Sequence, residues 1–311
     1  MIFLNTLKEG ESYQEIYLVK SVTKGTTAQT NKTFLSMVLQ DKSGTMNAKK
    51  WDVTSEDLET FKAGNFVKIS FEVRSYKEKP ELHIKFGDKV ELTKYDDYIP
   101  TSPIAKETLE KKLEAHLNNI KDKDIKAVVD ELYNTHKEKI LTYPAASNNH
   151  HAFASGLLYH TVSMLDVASF LIKHYSDVDS DIVLASVFLH DLGKIKELSG
   201  LLPIEYTSEG HLLGHLVIAT NLINNVATKH HLEDNEKIIH IEHCVLSSHG
   251  KYEYGSPVLG ATKEAIMANF IDDLDAKMMM YDNNTKELNP GEFTNRLMTL
   301  DMRRLYKKKE K

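Results

Sequence analysis

The sequence predicts an α+β multidomain protein, with a small β-barrel at the front and an all-α domain behind it. Three observations carry this. Residues 12–92 hold a series of short runs that alternate apolar and polar residues between turn formers. From His150 to Leu300 the alternation vanishes and apolar residues recur at helical spacing. Between them lies Thr93-Lys-Tyr-Asp-Asp-Tyr-Ile-Pro-Thr-Ser-Pro-Ile104, a linker marked by two prolines and a cluster of turn formers. A chain of 311 residues suits about two domains. The expected boundaries are 1–95 for the barrel, 96–145 for a linker and connecting helices, and 146–311 for the helical domain.

Tyr13–Val22 mixes β-branched, aromatic and apolar residues and reads as the first strand. Lys32–Leu39 alternates and runs into the turn Asp41-Lys-Ser-Gly44, after which Thr45–Trp51 returns as a third strand. Ser55–Phe61 is a short helix with Ser55 as the expected N-cap. Phe66–Tyr76, the turn Lys77-Glu-Lys-Pro80 and Glu81–Leu92 complete the set. Five strands with one helix between the third and fourth is the order of a five-stranded Greek-key barrel, the OB-type fold.

Such barrels bind single strands by stacking bases on aromatics while cations track the phosphates. The candidates are Phe34, Trp51 and Tyr76 with Lys24, Lys49 and Arg74. His83, Phe86, Lys20, Lys32, Lys50, Lys77 and Lys79 lie among them. An aromatic in a small barrel is more often core than platform, and a single lysine is most often merely solvated. The expectation therefore rests on the module.

Net charge is −6, unevenly spread. Residues 1–95 carry 15 Lys/Arg against 13 Asp/Glu, and the remainder carries 24 against 32. A mildly basic front suits a polyanion and an acidic, histidine-rich back suits divalent cations. Cys244 is the single cysteine, so no intrachain disulfide forms and a reducing compartment fits. The N-terminus lacks a basic signal-peptide flank, and no run approaches the roughly 18 apolar residues of a membrane span. These point to a cytoplasmic protein with no membrane partner.

A helix is expected from Ser102, with Pro103 at its first position, toward Ile120, and another over Asp124–Ile140. Helices then read over Gly156–His174, Ile182–His190, Leu212–His230, Asn235–Ser247, Lys263–Tyr281 and Gly291–Leu305. Twelve of the 15 histidines fall in this half. A lone helical histidine is usually solvated or a satisfied core residue, so the question is which ones converge. His190-Asp191 ends the apolar run Val187-Phe-Leu. Neighbours on a helix point about 100° apart, but at a helix end both side chains can reach one cleft. By spacing alone His211 competes with His215, His243 with His249, and Asp272 with Asp273 and Asp275.

The motifs Gly156-Leu-Leu-Tyr-His160-Thr, Leu189-His-Asp-Leu-Gly-Lys194 and Ile271-Asp272 resemble the HD superfamily of metal-dependent phosphohydrolases. Pro144-Ala-Ala-Ser-Asn-Asn-His-His151, Glu197-Leu-Ser-Gly200, His249-Gly-Lys-Tyr-Glu-Tyr-Gly-Ser-Pro257 and Asp272-Asp-Leu-Asp-Ala-Lys-Met278 extend the resemblance. Behind an OB-type domain, they resemble the YhaM family of 3′–5′ exoribonucleases along essentially the whole chain. Each motif alone is moderately specific; their combination in this order is strong. The chain departs from the family at Ser248-His249, where a His-His pair is common.

The resemblance implies an HD-type helical domain with His160, His190, Asp191, His215, His249 and Asp272 as metal ligands. It implies Mn²⁺, with Co²⁺, Fe²⁺ or Zn²⁺ as alternatives, and single-stranded RNA as substrate with single-stranded DNA as a second. Imidazole with carboxylate suits those ions, and two ions roughly 3.5–4 Å apart, bridged by Asp191, suit in-line displacement at phosphorus. Lys194 is expected to neutralise a phosphate oxygen, and His150 and His151 are candidates for substrate contact. Two rivals stand beside the exonuclease: an HD-type nucleotide or cyclic-dinucleotide phosphohydrolase, and a single-strand DNA-binding accessory factor with a structural metal. Apolar stripes on the connecting helices and on the C-terminal helix suggest a homo-oligomer.

Overall fold

A computed structural model describes residues 1–27, 31–76, 79–92, 97–146 and 153–309. The chain divides into two compact units, Met1–Thr101 with Leu201–Pro203, and Ser102–Gly200 with Ile204–Lys311.

The first unit is a closed barrel of β1 (Ser12–Thr26), β2 (Thr33–Asp41), β3 (Gly44–Lys50), β4 (Phe66–Tyr76) and β5 (Lys79–Val90), in the order β1-β2-β3-β5-β4. Only β3 and β5 pair in parallel; the other pairs are antiparallel. With α1 (Ser55–Thr60) between β3 and β4, this is the OB-type order. β4 shows how sequence becomes barrel: Val67, Ile69, Phe71 and Val73 are buried inside, while Lys68, Ser70, Glu72 and Arg74 alternate outward. β1 pairs with β4 through Ser12–Leu18 and with β2 beyond it, and a bulge between Val19 and Ser21 bends it from one neighbour to the other. The N-cap of α1 is Thr54, not the expected Ser55. Thr54 Oγ1 accepts from Asp57 N–H while the Asp57 carboxylate accepts from Thr54 N–H. The reciprocal box here uses aspartate in place of the usual glutamate.

The second unit is helical: α2 (Lys106–Leu117), α3 (Lys123–Thr142), α4 (Gly156–His174), α5 (Ser180–Leu189), α6 (Lys194–Glu197), α7 (Ser208–Lys229), α8 (Glu236–Leu246) and α9 (Lys263–Thr285). α5 organises it. Ile182 through Leu189 is buried on every side, the pattern of a central helix. Asp179 caps it by accepting from Asp181 N–H and Ile182 N–H, and it runs out at His190, whose backbone N–H returns to Ser186 O. α2 and α3, expected as connecting helices, give Leu109, Leu113, Val128 and Leu132 to the same core as α5.

α2 begins at Lys106 rather than beside Pro103, because Ala105 is still extended (φ −56, ψ 136). Gly291–Leu305 is not a helix. It folds back on itself, Phe293 bridging Tyr306 and Leu297 bridging Arg303 around a short turn at Met298–Leu300. Asp301 and Met302 both adopt positive φ there, which no helix accommodates. No helix among the described residues is long and apolar enough to cross a membrane.

Candidate functional site

Four helices deliver side chains to one point in the second unit. His160 sits on the second turn of α4, His190 and Asp191 leave the end of α5, Lys194 opens α6, and Asp272 lies on α9. α7 is broken at Gly214 (φ 70, ψ 156), and the residue after the break is His215. His249 follows α8 after a short turn. The approach of α6 to the break requires glycine at 193, since a Cβ there would lie 2.0 Å from His215 O.

Asp191 is the centre. Its Oδ2 lies 3.7 Å from His160 Nε2 and 3.4 Å from His190 Nε2, and its Oδ1 lies 3.5 Å from His215 Nε2. His215 Nε2 in turn is 3.1 Å from His249 Nε2. One carboxylate thus faces two pairs of imidazoles, one with each oxygen. Asp272 Oδ1 closes the first group, 3.3 Å from His160 Nε2, and donor atoms of His160, His190 and Asp272 lie within 4.8 Å of one another. Lys194 Nζ contacts Asp191 Oδ2 at 2.7 Å.

The back of each ring is tied down. His190 Nδ1 donates to Val187 O and His249 Nδ1 to Tyr254 O, each at 2.8 Å. A carbonyl only accepts, so these Nδ1 atoms carry the proton and the Nε2 atoms present lone pairs. His160 Nδ1 meets Asp275 Oδ2 at 2.7 Å, and Ser163 Oγ donates to the other oxygen of that carboxylate. His215 Nδ1 meets Glu197 Oε1 at 2.9 Å, and the same oxygen accepts His215 N–H. Carboxylates and carbonyls behind imidazoles are what fixes ring orientation at metal centres.

A divalent cation fits this set. His190 Nε2 is buried and has no hydrogen-bond partner among the described residues. The lone pairs of His215 and His249 face each other at a distance that a shared cation, or one proton, would relieve. The donors are nitrogen and oxygen with no thiolate, which suits Mn²⁺, Fe²⁺, Co²⁺ or Zn²⁺. The charges are already arranged for it. Burial alone would raise the Asp191 carboxyl, but Lys194, His190 and His215 hold it well below the usual carboxylate range. Burial would likewise lower the Lys194 ammonium, and Asp191 more than offsets this and keeps it charged. Burial pulls the His160 imidazole down, while Asp272 and Asp275 outweigh it and raise it to about 9, so a cation at His160 Nε2 would take the place of a proton among these carboxylates.

The structure brings His160, His190, Asp191, Lys194, His215, His249 and Asp272 together. It sends three of their four competitors elsewhere. His211 packs on the Tyr206 ring, His243 Nε2 accepts from Ala261 N–H, and Asp273 pairs with Lys277. His150 and His151 lie outside the described residues. Asp275 and Glu197 act behind the rings, a role that sequence reasoning missed; their carboxylates, each three residues beyond the end of a ligand motif, were the available signal. Asp275→Ala should weaken Mn²⁺ binding about 10–100-fold with far-UV circular dichroism unchanged, measurable by calorimetric titration.

On the barrel, Phe34 and Trp51 form a ring pair with centroids 5.0 Å apart, and Phe34 covers Gly25, where a Cβ would meet the ring at 2.4 Å. Lys49 Nζ lies 5.8 Å from the Trp51 ring centroid and 4.5 Å from that of Tyr76. Trp51 and Tyr76 are exposed. Phe34, Lys49, Trp51 and Tyr76 therefore gather on the β2–β3 face beside the ends of β1 and β4. Lys24 is exposed on β1, and Arg74 is exposed but paired with Glu72. Lys50 does not reach this face, being buried against Asp57. Lys77 lies outside the described residues.

Residues 157–277 match the HD domain family. Several solved structures are similar over part of the chain. The second OB-fold domain of replication protein A from Methanococcus maripaludis is 15% identical, over 30% of this chain and 97% of that one, with a TM-score of 0.25. A replication protein A heterotrimer bound to single-stranded DNA is 13% identical, over 29% of this chain and 65% of that one, with a TM-score of 0.22. Aspartyl tRNA synthetase from Entamoeba histolytica is 10% identical, over 55% of this chain and 36% of that one, with a TM-score of 0.23.

Proposed function

We propose that this protein is a cytoplasmic, metal-dependent 3′–5′ exonuclease that hydrolyses single-stranded RNA, and single-stranded DNA as a second substrate, to nucleoside monophosphates. The observation that carries the hydrolytic part is the Asp191 carboxylate set between two pairs of imidazoles inside an HD domain. His160, His190, Asp191 and Asp272 would hold one divalent ion, and Asp191, His215 and His249 a second. Such ions supply Lewis acidity at a phosphoryl oxygen and lower the pKa of a water in the site. The chain's own groups do the rest. Val187 O and Tyr254 O keep the ring protons of His190 and His249 on Nδ1 and their lone pairs inward, while Asp275 and Glu197 orient the rings of His160 and His215. Lys194, a cation among carboxylates, offers charge to a phosphate oxygen as negative charge develops there.

The polymer substrate rests on the barrel, whose exposed Trp51 and Tyr76 stand with Lys49 between them, the pairing of ring and cation that single-strand binders use. The direction of attack and the monophosphate product rest on the resemblance to the YhaM family in motif set and domain order.

Trp51 is the only tryptophan, so its fluorescence reports strand binding directly. Trp51→Ala should weaken binding of an oligonucleotide by about 1–3 kcal/mol, read by fluorescence anisotropy of a labelled strand. The log of affinity should fall linearly with log salt.

Turnover of a 5′-labelled RNA oligomer, set against turnover of mono- and dinucleotides, tests the whole reading. A ladder shortening from the 3′ end supports it. Cleavage of the small molecules alone would replace it with a nucleotide phosphohydrolase.

A further inference from the structure

The helical part of the chain is acidic, and its last segment is not. Residues 96–289 carry 17 Lys/Arg against 29 Asp/Glu, whereas residues 290–311 carry 7 against 3. The segment after α9 is a folded hairpin. Gly291 N–H donates to Lys307 O, Lys307 N–H to Glu292 O, Thr294 N–H to Leu305 O and Leu297 N–H to Arg303 O, which lays its two arms side by side. It is anchored to the end of α9. The Tyr281 hydroxyl donates to Tyr306 O at 2.6 Å, and Lys307 Nζ donates to Lys286 O and Leu288 O. A cation is favourable at the carbonyls that end a helix.

The hairpin gathers rings and cations. Phe293 and Tyr306 pair across the two arms with centroids 4.8 Å apart, and the Arg304 guanidinium lies 5.4 Å from the Phe293 ring centroid. Both rings are exposed, as are Arg296, Arg303, Arg304, Lys308 and Lys309. Arg303 pairs with Asp301, but Arg296, Lys308 and Lys309 form no ion pair among the described residues. Like charges held this close repel one another, and the repulsion costs stability unless an anion relieves it. Rings beside cations suit a single nucleic-acid strand, with bases stacked on the rings and phosphates on the cations. An anionic bilayer would accept the cations but not the tip, where Asp301 stands between the exposed Met298 and Met302.

We propose that the hairpin of residues 290–309 is a second strand-binding site, separate from the barrel, that holds single-stranded RNA upstream of its 3′ end. The direction of the strand rests on the exonuclease reading above. α9 sets the reach. It carries Asp272 at the metal centre and ends at Thr285, a run of about 20 Å. At the roughly 3.4 Å per nucleotide of a stacked strand, bases about six or more from the 3′ end would meet Phe293 and Tyr306. A tetranucleotide engaged at the metal centre would not reach them.

The test compares the full-length wild type with the triple variant Arg296→Gln, Lys308→Gln, Lys309→Gln, which removes three cations and none of the hydrogen bonds that anchor the hairpin. Binding of a labelled RNA of about 20 nucleotides is read by anisotropy in EDTA, where the strand stays whole. The triple variant should bind at least 10-fold more weakly at about 100 mM salt. Its slope of log affinity against log salt should be shallower by about 2, since each phosphate contact on a single strand contributes about 0.7. Phe293→Ala should weaken binding about 5-fold or more with the slope unchanged. Far-UV circular dichroism should match the wild type in both, and Mn²⁺-dependent turnover of a tetranucleotide should be unchanged in the triple variant. A folded triple variant with wild-type affinity and slope would overturn the proposal. So would equal losses on the tetranucleotide and the long strand, or a wild type whose hairpin cations capture phosphatidylserine vesicles and leave RNA binding untouched. A wild type that binds the long strand through the hairpin but never shortens it would fault the exonuclease reading and leave the binding site standing.

Discussion

Replacing Asp191 by asparagine should abolish hydrolysis while leaving the shape of the site intact. Asparagine keeps the volume and one oxygen but cannot present an anionic oxygen to each pair of imidazoles, as Oδ2 does to His160 and His190 and Oδ1 to His215. It also leaves the Lys194 ammonium, 2.7 Å from the lost carboxylate, without its closest counter-charge in a buried setting. Losing the shared ligand should remove several kcal/mol of transition-state stabilisation, a drop on the order of 10³-fold or more in kcat/KM. Oligonucleotide binding should persist, because Trp51, Tyr76 and Lys49 belong to the other compact unit. Steady-state turnover and anisotropy on the same preparation separate the two effects. An accessory factor with a structural metal would instead keep its function in the variant.

Chelation should be as severe and reversible. Without a cation His190 Nε2 stays buried with no hydrogen-bond partner among the described residues, and the Nε2 atoms of His215 and His249 stay opposed. Treatment with EDTA should remove hydrolysis, and Mn²⁺ added back after dialysis should restore it. Mg²⁺ should restore far less, since it prefers oxygen ligands and this set is rich in imidazole. Ions held only by the folded chain would add about 2.7 kcal/mol of stability at 100 times Kd. The melting temperature should therefore fall on chelation and recover on reconstitution. Activity that survives exhaustive chelation would rule out a metal role in turnover.

Both predictions rest on residues that were visible in the sequence, and the reason is chemical. Histidine and aspartate next to each other at the end of an apolar run are costly to place unless they serve something, and few residue types bind metal. What was not visible is whatever depends on three-dimensional approach. Asp275 reaches His160 across two helices, and Glu197 reaches His215 only because Gly193 lets α6 press against the break at Gly214. Spacing could not choose His215 over His211, since both share a helical register until Gly214 interrupts it.

The barrel was legible for a similar reason: alternation with period two, bounded by turn formers, has few other solutions. The C-terminal segment shows the limit. Phe293, Leu297 and Leu300 fit a helical stripe, yet a reversal buries Leu300 and stacks Phe293 on Tyr306 equally well. Local pattern does not separate the two, and backbone at positive φ at Asp301 and Met302 does.

The most direct test of the central claim is an anomalous difference map from a crystal soaked in Mn²⁺. Density is expected among His160, His190, Asp191 and Asp272, with further density among Asp191, His215 and His249. Bound manganese elsewhere, with these six side chains bare, would contradict it.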